Sequence, residues 1–215
     1  MKKIFSLLLS MSMMLSIFSF PVSAQAPESN SEFVAPDTVT GRLIDEEGNV
    51  ILVTGHRRVT PMILSVLSDE DSVTYDYAIP MSNFSHEDKV SGQDATGYMS
   101  ASMTIYYTEY ALGPNEYLLT KVSGSWRDPN PNDGTRVSET ADVMANCTGM
   151  GTNNIMRRQV KEGSIKSGSS MSTGFQYSIQ PAYGAMGATL TIALSQGQNR
   201  RWNLELECFP INPTT

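Results

Sequence analysis

The chain has 215 residues, a formal net charge of −7 and two cysteines. An acidic surface repels phosphate backbones and anionic headgroups, which excludes nucleic acid as an expected partner. The length suits one sizeable domain with a real core.

Lys2 and Lys3 precede an apolar run from Ile4 to Phe20, and Pro21 and the small-residue site Val22-Ser23-Ala24 follow. This is the pattern of a secretory signal peptide over residues 1–24, cut after Ala24. The run is too short and too rich in Ser to span a membrane comfortably. No Cys follows the site, so no lipid anchor is expected. The predicted mature protein is extracellular, without a stable membrane anchor, and near −9 once Lys2 and Lys3 leave. Residues 25–38 are polar and Pro-containing and read as a flexible leader. Residues 39–213 read as a single domain.

From Val39 onward the dominant period is two. Thr40 to Ile44 and Val50 to Thr54 flank the turn residues Asp45-Glu46-Glu47-Gly48-Asn49, a first hairpin. Thr60 to Leu67 suits a short helix or a buried strand, and periodicity does not arbitrate. Val73, Tyr75, Tyr77 and Ile79 alternate with polar residues. A domain boundary is weakly suggested at Lys89 to Gly97.

Met99, Ala101, Met103, Ile105 and Tyr107 share one face of a longer strand, and Tyr98, Tyr106 and Tyr110 share the other. A turn at Pro114-Asn115 would return the chain with Leu118, Val122 and Trp126 inward and Tyr117, Lys121 and Ser123 outward. Leu119 is the misfit on that polar face. Val137, Ala141, Val143, Ala145 and Cys147 form another apolar row. The Gly/Ser stretch Gly163 to Gly174 reads as a mobile loop, followed by an alternating strand with Phe175, Tyr177 and Ile179 inward. Ala188 to Leu194 and Trp202 to Cys208 read as a C-terminal hairpin. Short strands with regular turn signals predict an all-β fold, a mainly antiparallel β-sandwich of Ig-like or jelly-roll-like type.

Cys147 and Cys208 both fall on apolar faces, and an extracellular setting predicts a disulfide between them. Such a bridge closes a loop of about 60 residues and is worth roughly 4 kcal/mol. Asp128 to Gly134, with Glu139, faintly resembles a calcium loop, but the Gly is one position late and no helices flank it. No metal site and no cofactor is therefore expected.

Catalytic patterns are nearly absent. His86-Glu87-Asp88 lacks the second His of a zinc protease, and there is no nucleophile elbow. Glu205 and Glu207 stand two apart on an outward strand face, a placement that suits glycoside hydrolysis. Tyr98, Tyr106, Tyr110 and Tyr117 together make a candidate stacking platform for sugars or peptides.

Over Tyr117-Leu-Leu-Thr-Lys-Val-Ser-Gly-Ser-Trp126 and Trp202-Asn-Leu-Glu-Leu-Glu-Cys208 the chain resembles small secreted β-rich proteins of Gram-positive bacteria. That resemblance implies secretion and a β fold but no activity. Val39-Thr-Gly-Arg-Leu-Ile-Asp-Glu-Glu-Gly-Asn-Val50 looks like the opening of a carboxypeptidase-regulatory-like β-sandwich, although Val50 stands where Pro is usual. The function expected is a non-catalytic extracellular binding module, for a glycan or an extracellular protein or peptide. The rivals are a carboxylate-based glycan hydrolase and a pore-forming or antibacterial secreted protein. The sequence leaves the oligomeric state open.

Overall fold

The computed structural model describes residues 34–59, 70–80, 98–109, 116–127, 135–151, 153–196 and 200–211. The Thr60–Leu67 segment, the Lys89–Gly97 boundary, the Pro114-Asn115 turn and the 128–134 loop lie outside them.

The described residues form an all-β, antiparallel fold. Its ten strands are β1 Thr38–Asp45, β2 Val50–Arg57, β3 Asp71–Pro80, β4 Tyr98–Glu109, β5 Tyr117–Arg127, β6 Thr135–Met150, β7 Met156–Lys166, β8 Ser169–Ser172, β9 Gly184–Gln196 and β10 Arg200–Ile211. They make one sheet in the order β7-β6-β9-β10-β1-β2-β3-β4-β5-β8. The sheet curls into a nearly closed barrel, so its two halves face each other across one core. The Cys208 thiol in β10 meets the Ile105 backbone of β4, and the Cys147 thiol in β6 meets that of Leu119 in β5.

The first and last hairpins form as their alternation predicts. Ile44 pairs with Val50, Thr40 with Thr54, and Leu204 with Ile192. The central hairpin keeps the expected odd-with-even parity from Ala101↔Trp126 to Ile105↔Val122 and then shifts between Tyr106 and Tyr107. Thr120 is the extra residue of a β-bulge, and its hydroxyl donates to the Tyr106 carbonyl at 3.0 Å. The bulge flips the parity beyond it. Leu119 and Tyr117 therefore turn into the core, and Leu118 is left half-buried.

Three other expectations are corrected. The leader ends in contact with the barrel: Ala35 is buried, the Tyr75 hydroxyl donates to the Pro36 carbonyl at 2.7 Å, and Asp37 pairs with Arg57. The Gly163–Gly174 stretch carries the end of β7 and all of β8, joined by a tight turn at Ser167-Gly168 with Gly168 at φ +80°. The Phe175–Ile179 segment is not a strand beyond one bridge from Ile179 to Tyr117. It runs beside β7, whose Gln159 side chain accepts from the Gln176 and Tyr177 amides and donates to the Tyr177 carbonyl. A side-chain amide fills the place of a ladder.

The core is set by one large side chain. Tyr77 projects inward from β3 and lies across Gly55 of β2 and Gly41 of β1, and its hydroxyl donates 2.6 Å to the Glu207 carbonyl of β10. A Cβ on Gly55 would stand 2.5 Å from the ring. Gly55→Ala should destabilise the fold by about 1–3 kcal/mol, the usual cost of overpacking. That lowers the melting temperature by several degrees; an unchanged transition would mean the ring does not fill this notch.

Candidate functional site

Of the four candidate tyrosines, Tyr106 and Tyr117 have described side chains, and these two lie on opposite faces of the sheet. Tyr98 opens β4 opposite Pro80, and Tyr110 lies outside the described residues. Tyr106 is half-buried on the outer face with the Lys121 Nζ 3.9 Å over its ring, and Lys121 is in turn held by Glu70. Tyr117 faces the core, edge-on to Tyr107 with ring centroids 5.8 Å apart. A ring covered by a lysine and a ring turned inward offer no common platform.

The predicted disulfide is absent: Cys147 and Cys208 are free thiols. Both do point into the core, as expected. Strand β9 runs between β6 and β10, with Cys147 opposite Met186 and Cys208 opposite Ala188. Two strand spacings and a two-residue offset separate their Cα atoms by about 12 Å, well beyond the ~7 Å a bridge allows. Burial pushes the Cys147 thiol up to about 11 and Cys208 higher still.

A different constellation forms on the outer face of β1, β10, β9, β6 and β7. Leu43, Leu204, Ile192 and Val143 point inward, so their neighbours point out. The ladders line up Arg42, Glu205, Thr191, Asp142 and Ser164 in one cross-strand row. The next row holds Glu207, Thr189, Met144 and Glu162. Around these rows lies a depression of about 710 Å³ walled by Arg42, Asp142, Glu162 and Glu205.

Farther along the same strands is a second depression of about 670 Å³, lined by Ile44, Ala193 and Asn203 with Arg136, Arg201 and Glu46 at its rim. Trp202 contributes from the inward-facing row and packs against the core. The two hollows abut, because Asn203 and Glu205 are successive outward residues of β10. They share no lining residue and lie end to end on one face, and the pair is called the outer trough.

Each hollow holds both signs: Arg136 and Arg201 stand with Asp45 and Glu46 in one, and Arg42 with Asp142, Glu162 and Glu205 in the other. Arg42 bridges Glu205 at 3.0 Å and Glu207 at 2.7 Å, a partly exposed pairing worth under about 1 kcal/mol. Asp142 and Glu162 at that end have no side-chain partner among the described residues, and neither does Arg136 at the other end. Arg201 pairs with Glu46 at 3.9 Å. No group of three His, Cys, Asp or Glu among the described residues could hold a metal ion.

Glu205 and Glu207 stand outward as the sequence indicates. Arg42, Arg136, Asp142 and Glu162 carry no motif, and only their place on polar strand faces marks them. Compared with family models, with curated proteins and with solved structures, the chain matches none.

Two outcomes follow from the buried acids. Intact mass should be unchanged by reductant, and both thiols should titrate only in denaturant; a deficit of two hydrogens would restore the bridge. Burial also raises Tyr75 and Tyr77, and holds Tyr107 at about 12. These groups and the two thiols keep their protons more tightly in the folded state. Their contribution to stability should therefore be full below pH 9.0, the ordinary thiol value, and be lost as pH climbs through 11. Urea midpoints at neutral and alkaline pH check this, and a flat profile would contradict the burial.

Proposed function

We propose that the chain is a non-catalytic extracellular binding module whose ligand occupies the outer trough. One observation carries the reading: two adjoining hollows on one outer face hold Arg136, Asp142 and Glu162, charges of both signs with no side-chain partner among the described residues. The signal-peptide pattern of residues 1–24 supports an extracellular setting.

A second reading has a specific observation behind it. Asp142, Glu162 and Glu205 line one hollow, and paired carboxylates are what glycoside hydrolysis uses. Asp142 and Glu205 flank Thr191, so their Cα atoms stand about 10 Å apart. Arg42 is bound to Glu205, which ties that carboxylate to a charge partner on an open surface. That arrangement favours binding over proton transfer.

The test is a combined glycan and peptide array probed with the purified chain and with a variant carrying Arg136→Ala, Asp142→Asn and Glu162→Gln. Ligands should be retained by the parent and lost by the variant. Polysaccharides incubated with the parent should release no reducing ends. Hits that survive the triple substitution would move the site elsewhere, and sugar release would establish the hydrolase.

A further inference from the structure

Resting on that reading, we infer that the trough takes a short extended peptide with both termini free. Its carboxylate lies at the Arg136/Arg201 end and its ammonium at the Asp142/Glu162 end.

The geometry is fixed by the sheet register. Arg136 and Arg201 flank Ser195 on either side, so two guanidinium groups stand in one cross-strand row. Asp142 shares a row with Glu205, four residues along β10 from Arg201. Glu162 shares a row with Glu207, six residues along. At about 3.3 Å per residue the opposite charges are therefore roughly 13–20 Å apart along the strands. An extended peptide of about four to six residues separates its own ammonium and carboxylate by that distance.

The floor between the ends suits such an occupant. Ile44, Ala193 and Thr191 present small or aliphatic side chains at half-exposed or exposed positions. A sugar chain is gripped by exposed aromatic faces, and the one aromatic lining either hollow, Trp202, is packed against the core. At the Arg42 corner Glu205 and Glu207 share one guanidinium, so each has a partner while one negative charge is left over. Arg136 on one side and Asp142 and Glu162 on the other, which have no side-chain partner among the described residues, are the charges left to recognise termini.

Exposed charge contacts are weak, each worth up to about 1 kcal/mol or roughly fivefold in affinity. The experiment is a titration of the isotope-labelled chain, followed by backbone amide shifts, with four probes: penta-alanine, its N-acetyl form, its C-terminal amide and chitopentaose. Penta-alanine should move the amides of Thr191, Ala193 and Asn203. Each blocked form should bind about fivefold more weakly, and raised salt should weaken penta-alanine alike.

The decisive readout is a cycle. In the Arg136→Ala, Arg201→Ala variant, amidation should cost nothing further, while acetylation still costs its full factor. In the Asp142→Asn, Glu162→Gln variant the pattern should reverse. Well-dispersed spectra establish that both variants fold. Equal binding of free and blocked peptides, additive losses in the cycle, or shifts outside the trough would each overturn the inference. Chitopentaose moving the same amides while penta-alanine does not would overturn the peptide and keep the binding module. Silence of all four probes together with empty arrays would remove both.

Discussion

Tyr77 spanning four strands is the interaction on which the rest of the barrel depends. Its ring needs a flat bed, and Gly55 and Gly41 supply it by having no Cβ beneath the ring. Its hydroxyl takes the Glu207 carbonyl two residues beyond the last β1–β10 pair, Arg42↔Glu205. One side chain from β3 thereby reaches β10 across β2 and β1. A sheet pulled together this tightly must curve, and curvature is what brings β4 over β10 and β5 over β6. Among the described residues the inward side chains pack into one buried cluster, and the two hollows described lie on strands β1, β10, β9, β6 and β7.

Curvature leaves the two ends of the sheet, β7 and β8, beside one another without a ladder between them. The Ser167-Gly168 turn stitches one end of this seam, donating to the Glu139 and Gly124 carbonyls. Farther along, Gln159 and Lys161 reach over to the 172–177 backbone, with Lys161 Nζ 2.8 Å from the Ser172 carbonyl. Open strand edges recruit other chains, and covering them with polar side chains is a common remedy. The same residues explain why the segment is hard to read: Ser- and Gly-rich strands bridged by side chains carry the composition of a loop.

Legibility tracks the range of the interaction. Alternation and turn chemistry act over a few residues, so the hairpins β1–β2 and β9–β10 and the inward faces of β4 and β6 are plain in the sequence. Leu119 was visible as a residue on the wrong face, and the bulge at Thr120 is the physical answer. What pattern does not encode is strand order. Phe175, Tyr177 and Ile179 alternate like a strand, yet their neighbour offers a glutamine amide. Cys147 and Cys208 both face the core, yet β9 lies between them. The trough fails to show for the same reason: Asp142 and Glu162 meet Glu205 only when β6 pairs with β9, and Arg42 joins them only when β1 pairs with β10.

That junction also shapes how the fold is assembled and held. Without a disulfide, nothing covalent ties the early strands to the late ones. The ties are the β5–β8 ladder and the short β1–β10 ladder, Arg42 to Asp45 against Trp202 to Glu205, the latter with the Arg42 clamp above it and the Tyr77 hydroxyl below. Pairing strands at opposite ends of a chain incurs the largest loop-closure entropy and is slow. The local hairpins can form first, but none buries both of its faces alone. Only when β10 docks on β1 does Tyr77 find its acceptor and the β9–β10 hairpin its second neighbour. Closing the core and shaping the outer trough are thus one event: the contact that completes the barrel is also the one that places Arg42 and Glu205 side by side in the trough wall.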